Sequence, residues 1–132
     1  MISIPKLIYD EMIAHAKTSY PNEACGLLGG TDSNFGQFFP MRNLDEASIS
    51  YFMDPKEQLQ VFKKMRELGV ELCGIFHSHV ASEAFPSQKD VRLAFYPDAS
   101  YLIVSLSDLN KPVLRSFQIR EEKVSEEAIK IV

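Results

Sequence analysis

The stretch Gly74-Ile75-Phe76-His77-Ser78-His79 decides how this chain of 132 residues is organised. An apolar run from Leu72 to Phe76 leads directly into a His-x-His pair. Runs rich in β-branched and aromatic residues favour a buried strand. Because side chains two apart share one face of a strand, His77 and His79 are predicted to point to the same place at its end.

The polar residue Asp90 adds a third candidate ligand. It follows a loop closed by Pro86, at the point where the sequence becomes helical. Two imidazoles and one carboxylate are a ligand set for a catalytic zinc ion, with the fourth position left open for water. His77, His79 and Asp90 are therefore the candidate metal ligands.

A hydrolytic zinc site also needs groups that handle protons and negative charge. A carboxylate must take a proton from the water and return it to the leaving amine. Glu23 is the candidate, because it directly precedes an apolar run, residues 24–30, that is predicted to be a buried strand. A charged residue at the edge of such a strand is unusual unless it has a function. Ser87 could donate a hydrogen bond to the oxyanion that forms when the carbonyl is attacked.

Composition limits the function classes that remain. The chain fits a single domain, residues 1–132, with 45% hydrophobic and 24% charged residues and a net charge of −4. It has no basic block for nucleic acid or an anionic membrane, and no apolar run as long as a membrane span. Two cysteines, Cys25 and Cys73, both in apolar runs, favour a reducing compartment, and the N-terminus lacks a signal-peptide pattern, so we expect a cytoplasmic protein.

Periodicity and turn residues divide the chain into further elements. Helices are predicted at residues 5–18, 55–68 and 87–95, the second capped by Asp54 and ended by Gly69. Strands are predicted at residues 24–30, 35–41, 72–79, 101–107 and 113–119, with a possible short strand at 51–53. Residues 123–132 are ambiguous between helix and strand. One face of the second helix is expected to carry Leu59, Phe62, Met65 and Leu68. The pattern indicates a mixed α/β fold around one sheet.

The spacing of the polar residues is similar to a known motif. The chain reads Glu23, a long gap, His77-Ser78-His79, seven residues, Ser87, two residues and Asp90. This resembles the JAMM motif of the MPN+ zinc metalloproteases at every defined position. Similar surroundings are residues 21–29, the Met53-Asp54-Pro55 segment and Pro86. The resemblance covers nearly the whole chain and is strongest to the short prokaryotic members, because the chain lacks long insertions.

The resemblance implies a fold, a site and an activity. The fold would be that of the MPN/JAB domains, a mixed sheet flanked by helices with a cytidine-deaminase-like architecture. Zinc would be held by His77, His79 and Asp90, with Glu23 as general acid/base and Ser87 at the oxyanion. The enzyme would hydrolyse the bond between the C-terminal glycine of a ubiquitin-like or sulfur-carrier protein and an amine.

One position departs from the family pattern. Many members have proline directly after the second histidine, where this chain has Val80. Since that loop contacts substrate in the family, the change bears on substrate preference. We expect Val80, Phe85 and Met53 to contact substrate; for Val80 and Phe85 a place in the core is the alternative, and a place in the substrate groove is preferred.

Simpler interpretations compete with this one. Ser87-x-x-Asp90 has the outline of a helix capping box, which needs no metal, and Ser87 could serve both purposes. His15 is expected to be a packing or surface residue, and Cys25 an inert thiol without an activating base. A zinc deaminase would need Cys-x-x-Cys, which is missing here. The remaining alternative is a non-catalytic or partner-dependent MPN scaffold domain.

Overall fold

The computed structural model describes residues 1–132 as one eight-stranded mixed sheet with three helices. The strands are β1 (Ile2–Ile4), β2 (Cys25–Thr31), β3 (Asn34–Met41), β4 (Glu71–His79), β5 (Ser100–Ser105), β6 (Val113–Arg120), β7 (Lys123–Glu127) and β8 (Ile129–Ile131). The helices are α1 (Lys6–Ser19), α2 (Pro55–Leu68) and α3 (Gln88–Arg92). None of the three helices has the length and apolar character that crossing a membrane requires.

The sheet places the His-x-His strand near its centre. The strand order is β7-β6-β5-β4-β2-β3-β1-β8. β4 is antiparallel to β2 and parallel to β5, and the β4–β5 crossover carries α3. The end of β4, the start of β2 and the end of β3 therefore meet at one end of the sheet, and α3 follows from β4.

Alternate residues of the central strands form two separate cores. One face packs Leu28, Phe76 and Leu102 against Met12 of α1. The opposite face packs Leu27, Ile75, Tyr101 and Ile103 with Met65 of α2. This alternation is what a sheet covered on both faces requires. The predicted mixed α/β fold, a sheet flanked by helices, is confirmed.

Helix α2 has the predicted ends but not the predicted inner face. The Asp54 side chain accepts a hydrogen bond from the Lys56 N–H, and Gly69 closes the helix with φ of +71°. Met65 is buried, but Leu59 is 70% exposed and Leu68 is 46% exposed. The inclusion of Leu59 and Leu68 in the inner face was wrong, because the helix contacts the sheet along a narrower stripe than its apolar residues suggest.

Other boundaries also differ from the predictions. The helix expected at residues 87–95 ends at Arg92, and residues 51–53 make only an isolated bridge between Met53 and Asn43. The ambiguous tail forms β7 and β8, and Ile2–Ile4 forms β1, which was not predicted. β1 and β8 are three-residue strands that pair with each other and extend the sheet beyond β3, so their pairing depends on distant segments.

Glycine is required at position 30, near the end of β2, where the backbone passes close to Asn34 at the start of β3. A Cβ atom added to Gly30 would lie 2.0 Å from the carbonyl oxygen of Asn34, whereas one added to Gly36 meets only the Asn34 side chain, at 4.0 Å. We expect Gly30→Ala to lower the free energy of unfolding by about 1–3 kcal/mol, because backbone must move to accept the methyl group. Gly36→Ala is the matched control, expected within about 0.5 kcal/mol of the parent. Urea denaturation measures both; equal stabilities would contradict the steric argument.

Candidate metal centre and active site

The two predicted histidine ligands lie side by side at the end of β4. His77 and His79 are 1% and 6% exposed, and they share the face of the strand that carries Ile75. Their Nε2 atoms are 3.1 Å apart. Asp90, in α3, directs its Oδ2 atom to within 3.1 Å of both Nε2 atoms. The structure brings all three predicted ligands together.

These three atoms form a nearly equilateral triangle that fits a metal ion. Donor atoms held about 2.0–2.1 Å from one tetrahedral zinc ion lie about 3.3 Å from each other, close to the 3.1 Å seen here. Two imidazole lone pairs and a carboxylate oxygen repel each other at this separation unless a cation or proton lies between them. The donor set of two nitrogens and one oxygen is also that of catalytic zinc sites. The residues present therefore fit a divalent metal ion.

The hydrogen bond at the other ring nitrogen of His79 fixes its orientation. His79 Nδ1 lies 2.8 Å from the carbonyl oxygen of Glu83, which accepts only, so the proton is on Nδ1 and the Nε2 lone pair faces the cluster. The same loop is held by the Ser105 hydroxyl, which donates to the Ser82 carbonyl oxygen at 2.6 Å. These bonds anchor the loop between β4 and α3.

Helix α3 begins with the capping box that the sequence outlined. Ser87 Oγ accepts a hydrogen bond from the Asp90 N–H at 3.1 Å, and the Ser87 N–H donates to Asp90 Oδ2 at 2.9 Å. Capping and ligation are compatible, because one carboxylate oxygen accepts from Ser87 and also faces both imidazoles. The Ser87 side chain is exposed, and its hydroxyl hydrogen is not used by the cap.

Charges within the cluster support this arrangement. Burial opposes ionisation of Asp90, but the adjacent His77 and His79 imidazoles and the Ser87 N–H outweigh burial and hold the pKa of that carboxyl well below its usual range. Burial lowers the pKa of the His77 imidazole, despite the opposing effect of Asp90. Burial also opposes protonation of His79, but Asp90 and the Glu83 backbone outweigh it and raise the pKa of that imidazole. Asp90 is therefore ionised and His77 is neutral, which are the protonation states that bind a metal ion, and the raised pKa of His79 reflects the attraction of Asp90 for positive charge at this place.

Glu23 lies beside the cluster because of strand register. Cys25 pairs with His77 across β2 and β4, and the Ser78 N–H donates to the Ala24 carbonyl oxygen. If this antiparallel register is continued past the Ala24 and Ser78 pair, Glu23 comes opposite His79 on the same face of the sheet. The carboxyl is 6% exposed, and burial raises its pKa to about 7, with His79 acting in the opposite direction. A carboxyl that changes protonation near neutral pH suits a general base and acid.

Tyr51 is a site residue that the sequence did not single out. Its ring stacks on the His77 imidazole with centroids 4.8 Å apart and planes 23° apart. His77 Nδ1 has no hydrogen-bond partner, so this stacking takes the place of the bond that orients His79. Only the fold of the 43–53 loop brings Tyr51 to His77, and no local sequence pattern indicates that contact.

We expect Tyr51→Leu to weaken zinc binding about two- to tenfold, because aromatic pairs contribute about 0.5–1.5 kcal/mol beyond the area that they bury. Tyr51→Phe keeps the stacked ring and is expected to bind zinc as the parent does. Competition with a chromophoric chelator, carried out on folded protein, measures both affinities. Unchanged affinity in Tyr51→Leu would show that the stacking does not hold His77.

An apolar groove of about 320 Å³ adjoins the cluster on the face covered by α2. Eleven of its sixteen lining residues are hydrophobic, so it suits an extended chain with few charges. Asp90 and Lys89 line it, and so do residues 49–53. Large exposed side chains at this groove are Ile49, Phe52, Leu93, Phe95 and Tyr96.

A second cavity, of about 400 Å³, borders Glu23 and is polar. One of its nine lining residues is hydrophobic, and the others include Asn22, Arg42, Asn43 and Glu46. The site therefore has an apolar groove that reaches Asp90 and a polar cavity that reaches Glu23.

The predicted substrate residues occupy different places. Met53 is buried and lines the apolar groove. Val80 and Phe85 lie outside the lining of that groove. Phe85 is 44% exposed, with its ring edge-on to Phe117 and the Arg115 guanidinium over it. A substrate role for the three residues stays a prediction.

The residues given simpler interpretations behave as structural groups. His15 is half-buried, lies outside the ligand cluster, and has its Nε2 3.0 Å from the Cys25 carbonyl oxygen. Both cysteines are free, and burial raises the pKa of each thiol, Cys25 and Cys73, to about 12. Neither thiol is activated as a nucleophile.

Comparison with known proteins gives a consistent result. The sequence profile of the prokaryotic homologs of the JAB domain matches residues 5–120, which is most of the chain. The chain is 39% identical over 127 residues to the CysO-cysteine peptidase of Mycobacterium tuberculosis, covering 95% of this chain and 87% of that protein. It is 30% identical over 103 residues to the desampylase of Haloferax volcanii, covering 73% and 74% of the two chains.

A solved structure supports the same relationship. The solution structure of a protein from Desulfitobacterium hafniense is 47% identical in sequence and superposes with a TM-score of 0.92. The alignment covers 100% of this chain and 93% of that one. The backbone arrangement that creates the His77, His79 and Asp90 cluster thus belongs to a fold already seen by experiment.

Proposed function

Because this chain belongs to the prokaryotic JAB-domain family and is a peptidase, we propose that it is a zinc enzyme acting on small carrier proteins. It would hydrolyse the bond between the C-terminal glycine of a ubiquitin-like or sulfur-carrier protein and an amine. The observation that carries this proposal is the triangle of donor atoms at 3.1 Å. The buried Glu23 carboxyl, two residues before the Cys25 that pairs with His77, supports it. The names of two relatives, a CysO-cysteine peptidase and a desampylase, support the substrate class.

We propose that His77, His79 and Asp90 hold the zinc ion, which when bound lowers the pKa of a water molecule and polarises the scissile carbonyl. Glu23 takes a proton on its carboxylate and later gives it to the nitrogen of the leaving amine. Ser87 donates its free hydroxyl hydrogen to the oxygen that becomes negative as the carbonyl is attacked. Each residue acts from a position fixed by the sheet or by α3.

The two cavities suggest how the substrate lies. The acyl side of the bond belongs to an extended carrier tail, which the apolar groove accommodates beside Met53 and Asp90. The amine side must reach Glu23, which borders the polar cavity. A carrier tail in the groove would be oriented by apolar contacts and by backbone hydrogen bonds.

The direct test uses a ubiquitin-fold carrier protein that ends in Gly-Gly and is extended by one cysteine. Zinc-loaded enzyme is expected to remove the cysteine, seen by intact-mass spectrometry as a return to the unextended carrier. A carrier with valine in place of the last glycine is the matched control and is expected to resist cleavage. Bound zinc without cleavage of any such adduct, restored only when a second protein is added, would instead support the partner-dependent scaffold.

A further inference from the structure

Asn43 occupies a special position at the end of the β2–β3 ladder. Cys25 pairs with Met41, so the same register places Asn43 opposite Glu23. β3 ends at Met41, and beyond it the Asn43 side chain, rather than its backbone, forms the hydrogen bond to Glu23. Its Nδ2 donates a hydrogen bond to the Glu23 carbonyl oxygen at 3.1 Å.

All four hydrogen-bonding positions of the Asn43 amide are used. Nδ2 also donates to the Ser50 carbonyl oxygen at 2.9 Å. Oδ1 accepts from the N–H groups of Asp45 and Phe52, both at 3.0 Å. Because two partners are carbonyls and two are N–H groups, the amide can be oriented in one way only. Asn43 is 9% exposed; its bond to the Glu23 carbonyl is buried, and the other three bonds are partly buried.

These bonds tie Glu23 to the loop of residues 43–53. The Glu23 N–H donates to the Ala47 carbonyl oxygen at 2.8 Å, and Asn43 holds its carbonyl oxygen. On the other side, the Ala24 N–H donates to Ser78 Oγ at 2.8 Å. The backbone at Glu23 is thus held between this loop and β4, although Glu23 lies two residues before the start of β2.

The same loop forms part of the apolar groove. Residues 49–53 line the groove, and Tyr51 stacks on His77. Phe52, whose N–H is bound by Asn43 Oδ1, is one of the groove residues. One buried amide therefore connects the backbone of Glu23 with the wall against which the carrier tail would lie.

We propose that Asn43 is a positioning residue that holds Glu23 at its working distance from the metal centre and fixes the groove wall to it. This inference rests on the proposed function, in which Glu23 moves the proton. Asn43 lines the polar cavity but lies outside the ligand cluster, and the four hydrogen bonds of its amide go to Glu23 and to the loop. A misplacement of about 1 Å at a catalytic group can cost about a hundredfold in rate.

The test replaces the amide while leaving its shape. Asn43→Asp keeps the acceptor for Asp45 and Phe52 but loses both donors, so the Glu23 carbonyl is released. We expect kcat for the carrier-cysteine adduct to fall about 10- to 100-fold, and the zinc affinity to stay within about threefold. Asn43→Ala is a second variant, which removes the same donors without introducing a buried charge. It is assayed below its own unfolding temperature. Two variants are used so that misfolding of one does not decide the result.

A matched control disturbs the same loop without touching Glu23. Asp45→Ala removes the hydrogen bond that Ser50 Oγ donates to Asp45 Oδ2, at 2.9 Å, and leaves the Asn43 amide in place. Asp45 is exposed and lines neither cavity, so we expect kcat within about twofold of the parent. A kcat loss in Asp45→Ala equal to that of Asn43→Asp would overturn the inference, because loop disorder alone would then account for both.

A double-mutant cycle separates this inference from the proposed function. In the Glu23→Gln background, followed by mass spectrometry over long incubations, Asn43→Asp is expected to cost less than about threefold. If Asn43→Asp lowered kcat as much in the Glu23→Gln background as in the parent, the positioning role alone would be overturned. The same would follow if both Asn43 variants kept kcat within about twofold of the parent. Full activity of Glu23→Gln by itself would instead refute the role of Glu23, and the inference with it.

Discussion

Glu23→Gln is expected to lower kcat for the carrier-cysteine adduct by about 10²- to 10⁴-fold, the usual contribution of general acid–base catalysis. Glutamine has the shape of glutamate but cannot take and return a proton. The pKa of the buried Glu23 carboxyl, raised to about 7, lets the parent side chain do both near neutral pH. Because a neutral amide is easier to bury than a carboxylate, we expect no fall in the melting temperature.

Intact-mass kinetics and the zinc content of the purified variant check this prediction together. Zinc is expected to remain bound, because the three ligands come from β4 and α3. Glu46→Gln is the matched control, since Glu46 lines the same polar cavity but is exposed and lies outside the ligand cluster. If Glu23→Gln kept kcat within about threefold of the parent, another group would have to move the proton.

His79→Ala is expected to abolish detectable cleavage and to weaken zinc binding by at least about a hundredfold. One of the three donor atoms is lost, and structural zinc sites with four ligands bind with about 10–16 kcal/mol, so each ligand contributes several kcal/mol. The side chain lies at the end of β4 rather than in the middle of a core, so the fold is expected to persist.

The third histidine of the chain supplies the control for this change. His15→Ala removes an imidazole that contacts the Cys25 carbonyl oxygen, and it is expected to bind zinc as tightly as the parent. Metal analysis after dialysis and chelator competition compare the two variants. Equal zinc affinity in His79→Ala and the parent would place the ion elsewhere and remove the proposed mechanism.

Local sequence patterns were sufficient to predict the strand and the helix start that carry the candidate ligands. The apolar run of β4, the two-residue period of a strand and the capping box at Ser87 each predict a position from neighbouring residues alone. Those three features place the two imidazoles at the end of a strand and Asp90 at the start of the next helix, and the resemblance to the JAMM motif implied that they converge. The predicted caps of α2, at Asp54 and Gly69, were also correct for local reasons.

The parts that were missed depend on distant segments. β1 is only three residues long and becomes a strand by pairing with β3 and β8. Leu59 has a suitable spacing for the inner face of α2, but the helix contacts the sheet along a stripe that does not include it. Asn43 and Tyr51 sit in a polar loop with no periodic pattern, and their roles follow from the registers of β2, β3 and β4.

The two apolar cores on either side of the sheet have a practical consequence for the metal. The sheet that carries the ligands is stabilised by its own strand pairing and by these two cores. It therefore differs from small zinc domains, which unfold when the ion is removed. A zinc ion bound by His77, His79 and Asp90 would therefore be exchangeable and not required for folding. A chelator should then remove it while the protein stays folded, and a different divalent ion could replace it as a spectroscopic reporter of the site.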